Sequence, residues 1–462
     1  MSENQPNSKE NKWKTIWEEI SQPFIDLTKT SKAMLGINIS YLIEGLTYFG
    51  IIGLLALFYN DFVGLDDIHA GWMVGFLTAG ITISMLVLGA AVDLIGIRKS
   101  LLLSLFFILI GRIVLTAAPS LGETGLWNSG QVISLFGILG VVIGYGIYQP
   151  ACYAAVKKLN TKKNAAMGYA MLYALMNLGG FLPGIISPPV RKSYGIDGVF
   201  WVFVGITVLG MLAIAVFVTK KAIAEAQAKV KAEDGDEVED EDELAAMTTK
   251  EKMKYYLKNF PLKDMRFLFF IFVLIPVQTL FAHNWLTLPQ YTSRAFDGIV
   301  GDNFEFFVNL NPILIFVLTP MVTALTLKQS TYKMMIIGTM IMALPTFILA
   351  TGPSFYTLMA YLIIMTIGEA LWQPRFLQWV AEIAPKGMTG IYMGIGQFPW
   401  FLTKIVTALY SGWFLQNYVP ADTPKDQLNT EYMWLIYGFI AIITPIGLLL
   451  ARKWMIKGFK ES

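Results

Sequence analysis

Two carboxylates and two guanidinium groups stand in stretches that are otherwise apolar. Glu44 lies in the run 33–59 and Arg112 in the run 100–119, while Glu369 and Arg375 share the run 355–380 as Gly368-Glu369-Ala370-Leu371-Trp372-Gln373-Pro374-Arg375-Phe376. An ionised side chain in hydrocarbon costs at least ~2.5 kcal/mol, so such groups face other helices or water and mark ion or solute pathways. Dehydration favours the protonated carboxyl and a nearby cation opposes it, which makes Glu44 and Glu369 candidates for carrying a proton. Neither has a cation at helical spacing; their polar neighbours are Thr47 and Tyr48 for the first and Gln373 for the second. Arg375 lies about 240° round the helix from Glu369 and ~9 Å along it. It either meets an anionic group on a solute or serves a gate. Arg112, and Lys404 in a later run, read as structural partners or snorkelling side chains.

Amides complete the polar set inside apolar runs. Gln278, with His283 and Asn284 beyond it, lies in the run 265–289. Asn177 begins the Gly- and Pro-rich stretch Asn177-Leu178-Gly179-Gly180-Phe181-Leu182-Pro183-Gly184, and Asn311 precedes Pro312. Such breaks expose backbone groups that line cavities rather than lipid. The turn Gly89-Ala90-Ala91-Val92-Asp93-Leu94-Ile95-Gly96-Ile97-Arg98-Lys99 flanks its glycines with a carboxylate and two cations. Asp93, Arg98 and Lys99 together suit a charge latch at one end of the pathway.

The elements that position these residues are legible in the composition. The chain has 462 residues, 55% hydrophobic and only 15% charged, with a mean hydropathy of +0.55. Soluble domains carry roughly 25% charged residues, so this is a membrane protein. One cysteine excludes an intramolecular disulfide, and two histidines do not make a zinc centre unaided. No basic, aromatic-interleaved patch suggests nucleic acid, and no phosphate-binding loop suggests ATP hydrolysis.

A hydrocarbon core of ~30 Å needs about 20 apolar helical residues. On that scale twelve runs appear, at 33–59, 72–95, 100–119, 131–156, 166–189, 199–219, 265–289, 307–327, 334–352, 355–380, 390–414 and 432–452. They fall six and six about a polar segment at 220–264, whose acidic run Glu233 to Glu243 repels itself and reads as a solvated linker. Domains are expected at 33–219 and 265–452, between tails at 1–32 and 453–462. In the first tail Trp13, Ile16, Trp17, Ile20, Phe24 and Ile25 fall near helical spacing, which fits either a surface amphipathic helix or a partly disordered tail. With both termini cytoplasmic, the inside segments hold 28 of the 35 Lys and Arg residues and the outside loops four. That bias sets the expected orientation.

The two halves echo one another. Gly144-Tyr145-Gly146-Ile147-Tyr148-Gln149-Pro150 repeats the Gly-x4-Gln-Pro pattern of the Glu369 stretch 224 residues earlier, about half the chain length. It reads as the trace of an internal duplication.

This outline resembles the major facilitator superfamily: an all-α membrane protein of twelve transmembrane helices in a 6+6 fold. Within it the chain is similar to the proton-coupled oligopeptide transporters. The likeness is carried by Tyr173-Ala174-Leu175-Met176-Asn177-Leu178-Gly179, Asn309-Leu310-Asn311-Pro312, Gly368-Glu369 with Pro374, Ala384-Pro385-Lys386, and Glu44 through Tyr48-Phe49-Gly50. The resemblance implies a symporter in which two bundles rock about a central site. Glu369 would receive a substrate amino group or a proton, Asn177 and Asn311 would bond the substrate backbone, and Tyr48 would line the pocket. With Gln149, Tyr173, Gln278, Trp372, Gln373 and Arg375 these form the candidate substrate set. The family's Glu-x-x-Glu-Arg motif aligns on Tyr41, Glu44 and Gly45, and its fourth-helix Lys aligns on Gln149. Its Ser-Pro-x-Gly turn becomes Gln373-Pro374-Arg375-Phe376. Glu44 is therefore expected to lack its usual arginine.

The expected function is proton-coupled symport of small peptides or peptide-like solutes across a plasma or bacterial inner membrane, by a monomer. No cofactor is expected; the proton gradient is the energy source. A proton-coupled importer or exporter of a non-peptide amphipathic solute, a non-transporting receptor and a membrane enzyme are the alternatives. The last lacks any nucleophile, base or metal constellation in the sequence.

Overall fold

The computed structural model describes residues 30–89, 91–234, 249–326, 329–383, 392, 395–396 and 398–456. The tail 1–29, most of the acidic run, residues 384–391 with Ala384-Pro385-Lys386, and the end of the chain lie outside the described residues. Elsewhere the chain is helical, with no strand among the described residues.

Twelve principal helices follow in order: α1 (Lys32–Phe58), α2 (Asp67–Leu88), α3 (Ile97–Leu121), α4 (Ser129–Leu159), α5 (Lys162–Phe181), α6 (Pro183–Phe217), α7 (Met265–Leu286), α8 (Leu310–Thr326), α9 (Thr331–Ala343), α10 (Phe355–Ile383), α11 (Phe398–Tyr418) and α12 (Thr430–Ile456). Among the described residues ten helices are long and apolar enough to cross a membrane. One of them, Met171–Phe217, is 47 residues long and holds two of the expected runs. Gly195 divides it: at φ 77° only glycine turns the chain there without strain. Residues 183–194 thus continue α5, and residues 196–217 form the sixth span. The eleventh run carries α11.

Short polar side chains start several helices by accepting otherwise unpaired N–H groups. Ser31 accepts from Met34 N at 3.3 Å, Asp66 from His69 N at 2.8 Å, and Asp264 from Arg266 N at 2.8 Å.

Packing divides the chain into two compact units. The first is Met1–Gly235 with Asp297–Leu325, and the second is Asp236–Phe296 with Thr326–Ser462. In the first, Phe58 on α1 stacks on Phe200 of α6 at 4.5 Å. Residues 297–325, grouped with the second bundle by hydropathy alone, pack here. Arg191 bonds Glu305 and lies over the Phe304 ring at 4.7 Å, and Phe181 meets Phe306 edge-on.

In the first unit α3 and α4 come into backbone contact. A Cβ on Gly111 would lie 2.6 Å from both Gly137 O and Val141 N. The missing side chain lets the backbones touch, as in small-residue membrane interfaces. Gly111→Ala therefore pushes α3 off α4 and should destabilise the protein by ~1–3 kcal/mol, read as a lower unfolding midpoint in detergent. A midpoint equal to wild type would show that the contact gives without strain.

In the second unit α9 meets α10 the same way. A Cβ on Gly368, next to Glu369, would lie 2.3 Å from Met342 N.

Candidate polar sites within the two units

In the first unit the groups converge on Glu44. Its side chain is 1% exposed on α1, and Arg112 of α3, also 1% exposed, pairs with it. Arg112 Nη1 donates to Glu44 Oε1 at 3.1 Å and Nη2 to Oε2 at 2.9 Å, a two-pronged match of guanidinium to carboxylate. Tyr145 on α4 donates to Oε2 at 2.7 Å and accepts from Arg112 Nη2 at 2.9 Å. Thr207 on α6 accepts from Nη1, and only Arg112 Nε has no partner. Four helices thus close round one ion pair.

Gly45 stands where the motif arginine would, yet Glu44 is not without a guanidinium. The cation comes from α3, 68 residues away, and local spacing could not disclose it. Gly111 and Gly144, immediately before Arg112 and Tyr145, both lie where α3 and α4 touch, which brings these two side chains together.

Hydroxyls extend from the pair. Tyr148 bonds Ser40 at 2.8 Å and stacks on Tyr41, and Tyr48, half-buried, meets the Tyr145 ring edge-on. Half-buried Gln149 donates to Tyr153 OH at 3.4 Å. Tyr173 is 54% exposed on α5, and Asn177 donates back to its carbonyl at 2.9 Å. Asn311 is buried in the first turn of α8.

At the start of α3, Arg98 donates to the carbonyls of Ala215 and Val218 at the end of α6, where a cation complements the helix dipole. Lys99 is exposed. The side chain of Asp93, the third member of the expected latch, lies outside the described residues. A charged contact that sequence reasoning missed lies elsewhere in this unit: Arg191 also donates to Asp302 O at 2.8 Å, and Lys192 bonds Asn303 at 3.0 Å.

In the second unit Glu369 on α10 is 4% exposed. With the Gln373 amide turned to satisfy both neighbours, its nitrogen donates to Glu369 Oε1 at 3.2 Å and its oxygen accepts from Trp400 Nε1 at 3.3 Å. Trp372, 1% exposed, stacks on Trp400 and directs its indole N–H at Met342 Sδ, 3.2 Å away. Arg375 is tied down, donating to Gln378 Oε1 at 3.0 Å and Thr326 O at 2.8 Å.

Along α7 and α11, Gln278 Oε1 accepts from Thr403 at 3.4 Å while its Nε2 has no partner. Fully buried His283 bridges Thr287 at 2.7 Å and Tyr410 at 3.1 Å and stacks on Tyr437.

Comparison with known proteins gives a consistent fold. A family model described as Major Facilitator Superfamily matches residues 37–328. Among curated proteins the chain is similar to "Uncharacterized MFS-type transporter YttB" of Bacillus subtilis (strain 168), 28% identical over 134 residues, covering 29% of this chain. The match spans 33% of that relative's length. Among solved structures, a peptide transporter POT in complex with sulfate superposes with a TM-score of 0.70 at 17% identity, over 93% of this chain and 96% of that one. A POT family transporter in complex with 5-aminolevulinic acid gives 0.68 at 17% identity, over 93% and 97%. At these identities the likeness is one of fold.

Proposed function

Because the chain belongs to the Major Facilitator Superfamily and is a multi-pass membrane transporter, we propose that it is a proton-coupled symporter of small peptides or peptide-like solutes. The observation that carries this reading is Glu369: a carboxyl 4% exposed within a membrane span, bonded to the neutral amide of Gln373. An intramembrane carboxyl of this kind is the usual material of proton relays. Glu369 carries the coupling proton or receives the amino group of the solute. Glu44 takes part through the charge balance it shares with Arg112.

Peptide-like solutes are supported by the fold neighbours, which are named as peptide transporters, and by the amides Asn177, Gln149, Gln278 and Asn311. The proton gradient supplies the energy, and we assign the chain no catalytic role.

The test is uptake into liposomes under an imposed inward proton gradient, offering a pool of di- and tripeptides with free and blocked ends, read by mass spectrometry. Accumulation that collapses with an ionophore is expected. Solutes that equilibrate with no response to the gradient would leave a transporter without proton coupling.

A further inference from the structure

Resting on the symport reading and narrowing it, we infer that the solute presents no carboxylate to the first unit: the tyrosine and amide face of α4 and α5 takes an uncharged, hydrogen-bonding end.

The face is continuous. Gln149 and Tyr153 stand one turn apart on α4; Tyr169, Tyr173 and Asn177 stand at successive turns of α5. Tyr153 and Tyr169 bring their rings to 6.1 Å, and Tyr169 OH donates to Tyr153 O at 3.5 Å, which joins the two helices. Tyr153 is 41%, Tyr169 39% and Tyr173 54% exposed.

A tyrosine belt at a membrane surface has the same composition but stays at one level. This strip climbs. Asn177 is the sixteenth residue of α5, ~22 Å from its start, and Gln149 lies ten residues before the end of α4. Amides at that depth face water or a solute rather than lipid.

The charges decide what the face can hold. Within α1–α6 the cations other than Arg112 stand near helix ends or, like Arg191 and Lys192, beside the Gly195 break. Arg112 is 1% exposed and already holds Glu44, Tyr145 and Thr207. Lys157, one turn past Tyr153, marks the helix-end edge of the face. Deeper, around Gln149, Tyr173 and Asn177, a solute carboxylate would find hydroxyls, amides and rings but no cation among the described side chains of α4 and α5, and an ion without a partner at that depth is disfavoured. An amide, a hydroxyl or a ring fits, since tyrosine supplies both a ring surface and a hydrogen bond.

The experiment compares a dipeptide such as Ala-Phe with its C-terminal amide, Ala-Phe-NH2, by ligand-induced thermal shift of the full chain in detergent at fixed pH. Binding is read with no gradient, so a failure of proton coupling does not touch the result. The amide should bind at least tenfold more tightly than the acid. Gln149→Lys, which sets a cation on the face, should narrow or invert that ratio. Equal or tighter binding of the free acid by wild type overturns the inference, as does binding by neither form. A ratio unchanged in folded Gln149→Lys counts against the α4/α5 face as the place of contact.

Discussion

Arg112→Leu should unfold at a markedly lower temperature than wild type, because it leaves the Glu44 carboxylate buried without its cation. Removing one partner of a buried pair costs about 3–5 kcal/mol. Here there is little room for water to substitute: both side chains are 1% exposed and lie among α1, α3, α4 and α6. The double variant Glu44→Gln/Arg112→Leu removes both charges and should recover most of the loss, since an uncharged pair of similar volume is often as stable as the ions it replaces. Tyr145→Phe, which deletes one hydrogen bond to the carboxylate, should fall between, at about 1.5–3 kcal/mol. Thermal unfolding in detergent ranks the variants. A double variant no more stable than Arg112→Leu alone would mean that Arg112 has a role independent of Glu44.

Glu369→Gln should abolish proton-driven accumulation and spare exchange. A pH difference of one unit stores about 1.4 kcal/mol per proton, worth about tenfold in solute concentration at one proton per solute. The variant keeps the shape of the side chain and can still bond Gln373. Solute loaded inside liposomes should therefore still exchange with labelled solute outside. Accumulation above equilibrium should vanish at any imposed pH difference. Intact accumulation would move the coupling proton to another group.

Much of the architecture is legible in the composition because hydropathy is a one-dimensional property. Runs of about 20 apolar residues have to become helices in lipid, and among the described residues each of the twelve runs carries helix. Glu44, Glu369 and Arg375 stand out by the same argument, as ions where ions are costly. What they touch is another matter. Arg112 reads from sequence as a structural partner or a snorkelling side chain, and its carboxylate is on a helix two spans earlier. Tyr145, which completes the cage, reads only as part of the repeat motif.

Arg98 carries a similar lesson. Its neighbours in sequence suggest a latch with Asp93, whose side chain lies outside the described residues; that its guanidinium also caps carbonyls of α6 more than 100 residues on could not be read locally. Arg191 and Glu305 lie 114 residues apart and carry no periodic signal. Arg375 is visible as an ion, but its bond to Thr326 O joins residues 49 apart in the chain. Residue type and depth are local and readable; partners across the fold are not.

The most direct measurement of the central claim is proton movement driven by solute alone. Liposomes holding the protein and a pH-sensitive dye, with equal pH on both sides and the membrane potential clamped, receive the transported solute outside. The account predicts that the interior acidifies as solute enters and that Glu369→Gln abolishes the acidification while solute exchange persists. Solute entry with no change of internal pH in the wild-type protein would contradict it.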